Sequence, residues 1–296
     1  MATSGRHHGA TRAAFGAVAL VVALAACSST THDAATPGPS DQTAPATSAS
    51  DGSGGSGGPL QILVTNDDGV GAAGIDAVVQ ALVALPDVHV TVVAPADNQS
   101  GSAGKTTAGP LTVTDATTAS GYPAKAVHGY PADTVRWAID DHGIDVTPDL
   151  VVSGINFGQN IGPTTDKSGT VGAARAAAAR KIPALASSQG LGDPPTWADG
   201  AAAVLAWVAG HRDGLGRGAP GAPLLLDNLN IPTCTTGAPR GTITVPVAVD
   251  GAGRDQNAVD CTSTDANLPD DIAAFTHGYI TVSTLDPVST TGTTAP

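Results

Sequence analysis

Hydrophobic and polar positions divide the chain into two unlike stretches. From residue 59 onward, short β-branched apolar runs alternate with segments of helical period, which predicts an α/β domain with a mainly parallel sheet. The strand-like runs lie at 61–65, 89–94, 125–128, 149–153, 182–187 and 224–231. Between the first two, Ile75, Val78, Val79, Leu82 and Val83 recur at i, i+3, i+4, i+7 and i+8. That spacing puts them on one helix face, which Pro86 ends. Helices are also predicted over 132–140, 170–181 and 198–209. After Pro232 the text turns to strand and turn, at 242–249 and 279–285, and predicts a β-hairpin-type C-terminal extension. No internal repeat is visible.

Upstream, Arg6 and Arg12 precede an apolar run at 13–26. This reads as a secretory signal, and the run is too short for a comfortable membrane span. It closes on Leu24-Ala25-Ala26-Cys27, which resembles the lipobox of bacterial lipoproteins, where the cysteine is lipidated and becomes the first residue of the mature chain. The expected organisation is a signal peptide at 1–26, a Ser/Thr/Gly-rich tether at 27–58, a folded domain at 59–290 and a tail at 291–296. The tether buries too little apolar surface to order itself. A lipid on Cys27 would anchor the protein to the membrane, on its extracytoplasmic face, without spanning it. Cys234 and Cys261 would then meet an oxidising compartment, where pairing is the favoured reading and two buried free thiols the alternative.

Charge narrows the partners. The chain has 13 Lys and Arg against 26 acidic residues, a formal charge of −13, which argues against a nucleic-acid duplex. Every acidic residue is Asp. The absence of Glu excludes motifs that require it, including H-E-x-x-H zinc peptidases and EF-hands. With one Met and 3% aromatics, the core must be built from Ala, Val, Leu and Ile.

In open α/β sheets ligands sit beyond the carboxyl ends of the strands, so the chemistry is sought just after each apolar run. The first run is followed by Thr65-Asn66-Asp67-Asp68-Gly69. Two adjacent carboxylates at a buried strand end repel one another and lose hydration, a cost best offset by a hard divalent cation, although a polar turn with capping Asp residues has the same composition. The second run is followed by Ala94-Pro95 and Asn98-Gln99-Ser100-Gly101, rich in amide and hydroxyl groups. The fourth leads into Ser153-Gly154-Ile155-Asn156-Phe157-Gly158-Gln159-Asn160-Ile161-Gly162, where Asn156 offers a neutral oxygen ligand. A helix start at Lys167-Ser168-Gly169-Thr170 offers free amides and hydroxyls to a phosphate. Two lookalikes fail. Gly104-Lys105-Thr106 has Gln99 where a P-loop needs Gly, and the surroundings of Ser102 put Ser100 where G-x-S-x-G needs Gly. His128, His277 and the other histidines lack metal-site spacing.

Taken in order with Gly129-Tyr130-Pro131-Ala132-Asp133, these motifs resemble the SurE survival-protein family of metal-dependent nucleotidases, over roughly residues 60–287. The resemblance implies a Rossmann-like three-layer core and hydrolysis of nucleoside monophosphates by a Mg²⁺ or Mn²⁺ ion held by Asp67, Asp68, Ser100 and Asn156. It implies phosphate contacts from Asn66, Asn160, Ser168, Gly169 and Thr170, and homodimers or higher oligomers joined through the C-terminal extension. Asp67 or Asp68 would orient the attacking water or attack directly. Lys167 stands where family members usually have Tyr, and Arg175-Ala176 where they have Met-Glu. These departures keep open a rival reading, a non-catalytic nucleotide- or metal-binding lipoprotein on the same fold.

Overall fold

A computed structural model describes residues 58–215, 224–251 and 253–287. The leader at 1–26, Cys27 and its tether, and the tail at 291–296 lie outside the described residues, apart from Gly58. The element order is β1 (Leu60–Thr65), α1 (Ala73–Val83), β2 (Val88–Pro95), β3 (Val113–Thr117), β4 (Pro123–Val127), α2 (Pro131–Ile139), β5 (Leu150–Phe157), a 3₁₀ turn (Gly162–Lys167), α3 (Gly169–Ala179), β6 (Ala184–Gln189), α4 (Trp197–Leu215), β7 (Leu226–Ile231), β8 (Thr242–Thr244), α5 (Asp271–Thr276) and β9 (Ile280–Thr284). The strands form one sheet in the order β3-β4-β2-β1-β5-β6-β7-β9-β8. Pairing is parallel from β4 through β7, as the sequence predicts for strands joined by helical crossovers.

The period of two along each strand divides the core into two layers. Leu60, Ile62 and Val64 of β1, Val90 and Val92 of β2 and Leu150 and Val152 of β5 pack against α1 and α4. Leu63, Val93 and Val151 face the other way, against α2 and α3. On α1, Ile75, Val78, Val79 and Leu82 are wholly buried, as the spacing predicts, while Val83 lies at the edge. Each such side chain contributes about 1.5–3 kcal/mol through removal from water. On α3 the packing surface is made of small residues, mainly Ala and Gly, so helix and sheet approach closely. Among the described residues, no helix is long and apolar enough to cross a membrane.

Three features depart from the sequence expectation. The C-terminal strands do not form a hairpin: β9 runs antiparallel to β7, and β8 runs parallel to β9 at the sheet edge. The reason is α5, capped by Asp270, which returns the chain to the starting end before β9 begins. The second is β3, antiparallel to β4, whose half-exposed Val-Thr-Asp-Ala-Thr text carries little apolar signal. The third is β5, which continues through the glycine-rich motif instead of ending at Ser153. A register shift between Ser153 and Asn156 allows Asn156 and Phe157 to pair again, with Ser188 and Gln189.

The C-terminal segment is fastened to the body by buried polar groups as well as by apolar contact. Asp271 accepts the backbone N–H groups of Ala248 (2.8 Å) and Gly162 (2.9 Å), although burial pushes its carboxyl above the usual range. Ile161, Ala248, Ile272 and Phe275 form a small apolar cluster around this junction. Cys234 and Cys261 are disulfide-bonded, with their Cα atoms 5.7 Å apart, which realises the favoured reading of the two cysteines.

Candidate active site

Strand β1 lies between β2 and β5, all three parallel, so the turns after them meet at one end of the sheet. The chain leaves β1 toward β2 and β4 and returns across it to β5, which makes this end a topological switch point. Hydrogen bonds knit the turns together. Val70 N–H donates to the Pro95 carbonyl (2.8 Å), and Gln99 N–H donates to that of Asp67 (2.6 Å). The Asn66 side chain closes the first turn on the Gly69 carbonyl (2.8 Å).

The two adjacent carboxylates have different surroundings. Asp67 is 2% exposed, and the Thr170 hydroxyl donates to its Oδ1 (2.6 Å). Burial pushes its carboxyl from the ordinary 3.8 up to about 6; the Thr170 hydrogen bond partly offsets this and the Asp68 charge adds to it. Asp68 is less enclosed and accepts the Phe157 backbone N–H on Oδ2 (2.9 Å) and the Asn98 side-chain amide on Oδ1 (3.1 Å). Burial raises its pKa too, while those two donors oppose the rise. Among the described residues neither carboxylate forms an ion pair with Lys, Arg or His.

The start of α3 presses against Asp67. A Cβ built on Gly169 would lie 2.7 Å from Ser102 Oγ and 2.9 Å from Asp67 Oδ2, so only glycine permits this approach. Ser102 Oγ is buried without a hydrogen-bond partner, as is Asn66 Oδ1. One turn on, a Cβ at Gly172 would lie 2.0 Å from the Ala103 carbonyl oxygen, and this contact sets α3 directly on the loop after β2.

The remaining sequence-selected residues fall into two groups. Asn156 is nearly buried beside Phe157; its amide nitrogen donates to the Gly158 carbonyl (2.5 Å), which leaves its oxygen as an acceptor. Ser100 is exposed on the loop after β2, held by its own N–H on Asn98 Oδ1 (3.0 Å). Ser168 caps α3 by accepting the Val171 N–H (3.2 Å), and Thr170 is spent on Asp67. Asn160 belongs to a buried amide network: its N–H meets Asn230 Oδ1, its side chain donates to Ser188 Oγ, and its carbonyl accepts from Asn228. Lys167 offers its carbonyl to Ala103 N–H (3.1 Å), and Arg175 pairs with Asp166 (2.8 Å). Sequence reasoning missed Asn98 and Ser102 as members of this group, although both sit in the motif after β2. The Phe157 backbone donor carries no side-chain signal at all.

The donor chemistry fits a hard cation. Two unneutralised carboxylates, the Asn156 oxygen, a serine hydroxyl and two buried polar oxygens without partners lie at the same end of the sheet, on the ends of β1 and β5 and the loop after β2. Among the described residues no three His, Cys, Asp or Glu side chains cluster for metal binding. The set therefore suits an ion that takes one or two carboxylates and completes its shell with neutral oxygens, as Mg²⁺ and Mn²⁺ do.

Comparison with known proteins places the chain in a family. The family described as "Survival protein SurE" matches residues 62–250. A 5'-nucleotidase SurE of Methanopyrus kandleri is 43% identical over 135 residues, 45% of this chain and 50% of the relative, so the chain spans about half the length of that curated relative. The crystal structure of a SurE protein from Aquifex aeolicus superposes with a TM-score of 0.60 and 26% identity, covering 78% of this chain and 95% of that one. The match at 62–250 takes in most of β1, the loop after β2, the β5 motif and the start of α3, and on that extent the chain belongs to the survival protein SurE family.

Proposed function

We propose that the protein is a metal-dependent phosphomonoesterase that hydrolyses nucleoside monophosphates to nucleoside and phosphate, with Mg²⁺ or Mn²⁺ as the cofactor. The observation that carries the reading is the Asp67–Asp68 pair, two carboxylates at a buried strand end without a basic partner among the described residues. Asp67, Asp68, Ser100 and Asn156 would hold the ion. A cation there supplies charge that polarises a phosphoryl oxygen and lowers the pKa of nearby water. The chain's own groups do the rest. Asp68, fixed by Phe157 N–H and Asn98, keeps a set direction for alignment of the attacking water. Asp67, buried and oriented by the Thr170 hydroxyl, would give the ion its second carboxylate, and the cation would offset the cost of keeping that carboxylate ionised. The Gly169 end of α3 would offer the helix dipole to a phosphate near Asn66, while Ser168, Thr170 and Asn160, engaged with the helix cap, Asp67 and the buried amide network, would hold that end in place.

The test is phosphate release from a panel of nucleoside monophosphates, polyphosphate and a generic aryl phosphate, with Mn²⁺, with Mg²⁺ and with a chelator. Release from the nucleotides that the chelator abolishes is the expected result; the absence of any metal-dependent release would overturn the reading. We further propose that lipid on Cys27 places the enzyme on the extracytoplasmic face of the cell membrane, where it would act on external nucleotides, and that copies associate through the β8–β9 extension. The Cys234–Cys261 disulfide supports such a compartment.

A further inference from the structure

We infer that Phe157 is the platform on which the substrate's base stacks, and that its ring gives nucleotides their advantage over phosphate esters without an aromatic group. The inference rests on the nucleotidase reading above. Among the described residues five large apolar side chains are exposed, and two of them, Phe157 at 46% and Leu191 at 48%, stand together. Phe157 pairs in register with Gln189 at the ends of β5 and β6. A Cβ on the next residue, Gly158, would lie 3.5 Å from Leu191 Cδ2. Trp197 meets Phe157 with ring centroids 5.9 Å apart and planes tilted by 58°, so the ring is braced on one side while the residue stays exposed.

Its place relative to the chemistry makes this patch more than a stray exposed aromatic. The backbone N–H of Phe157 is the donor that fixes Asp68 (2.9 Å), so the ring is one residue away from the proposed phosphate site. A nucleoside monophosphate whose phosphate sits at Asp67 and Asp68 must project its base out of the site, across one sugar. From the next residue onward a cavity of about 410 Å³ opens, lined by Gly158, Gln159, Thr164, Leu191, Arg254, Asp255, Gln256 and Asn257. Gln159 is held by bonds from its amide nitrogen to the Gln256 carbonyl (2.8 Å) and Asn257 Oδ1 (2.7 Å). An exposed aromatic ring beside Leu191, at the mouth of a mainly polar cavity with ordered amides, is the chemistry that receives a flat ring with hydrogen-bonding edges. The rival aromatic, Tyr130, borders a depression of about 280 Å³ on the other side of the site. Its backbone N–H is bound to Asp133, inside the cap of α2, and has no link to either carboxylate.

The experiment uses the full chain loaded with Mn²⁺ and compares kcat/KM for adenosine monophosphate with that for ribose 5-phosphate. In Phe157→Ala the ratio of the two is expected to fall about tenfold or more, the effect of losing one base-to-aromatic stack. Phe157→Tyr should restore it. The backbone donor to Asp68 survives both substitutions, and an exposed ring is not needed for folding. An unchanged ratio in Phe157→Ala, or a ratio lost in Tyr130→Ala instead, overturns the proposal. Adenosine binding by calorimetry separates it from the catalytic reading. If neither ester is hydrolysed, the nucleotidase reading falls; weaker adenosine binding in Phe157→Ala would still uphold the platform, and equal binding would overturn it.

Discussion

The Asp67 carboxyl titrates near 3.8 when free and at about 6 in the fold, so between those values the folded state holds the extra proton. Stability contributed at this position therefore falls as pH rises through that window, by about 3 kcal/mol for a shift of about two units. The metal-free protein should lose melting temperature from pH 4.5 to pH 7 more steeply than Asp67→Asn, and Mn²⁺ should restore the loss at pH 7. Parallel thermal melts of the two proteins check it; identical pH slopes would show that Asp67 is not strained. Asp68→Asn removes a charged ligand while relieving repulsion, so its stability should be unchanged or higher. Its phosphate release at limiting Mn²⁺ should drop about tenfold or more. A mere turn-capping Asp predicts the opposite pattern, a stability loss of about 1 kcal/mol and no change in metal dependence.

Helix α3 owes its position to small residues. Alanine is the better helix former by about 1 kcal/mol, so Gly172→Ala on an isolated helix would stabilise. Here the new methyl would meet the Ala103 carbonyl oxygen at 2.0 Å, a backbone atom that cannot rotate away. The steric cost should win: a net loss of about 2 kcal/mol in urea unfolding, with weaker metal-dependent turnover because Ala103 belongs to the loop that carries Ser100 and Ser102. A stabilised, fully active Gly172→Ala would show that α3 and the loop are not in register as described. At this same scale the helical faces were legible from the sequence, since period 3.6 survives any fold. The parallel course of β8 was not, because α5 reverses the chain through packing of Ile272 and Phe275, which a six-residue helix hardly announces.

The C-terminal segment closes the molecule's far sheet edge, and one covalent link holds it. The Cys234–Cys261 bond spans a sequence separation of 27, for which loop closure gives about 3–4 kcal/mol. Replacing both cysteines with Ser should lower stability by about that amount under non-reducing conditions, and dithiothreitol should do the same to the parent. Equal denaturation midpoints with and without reductant would refute this. For the whole chain, Cys27→Ser is expected to release the protein from the membrane fraction into the soluble one. A parent protein that fractionates as soluble, with an N-terminus upstream of Cys27, would remove the anchor.

By itself the sequence determined what depends on local order: alternating strand and helix, the buried faces, the motif residues and the absence of glutamate chemistry. Each is written in the spacing or identity of neighbours along the chain. Only the tertiary structure decided which of those residues meet. It placed Thr170 on Asp67 across 103 positions and the Phe157 amide on Asp68 across 89, and it put Ser168 to work as a helix cap and Asn160 in a buried amide network. Such pairings follow from strand order, which is fixed by the burial of both sheet faces at once. Burial, in turn, is what lifts the two aspartates away from ordinary carboxylates, and no reading of adjacent residues contains it.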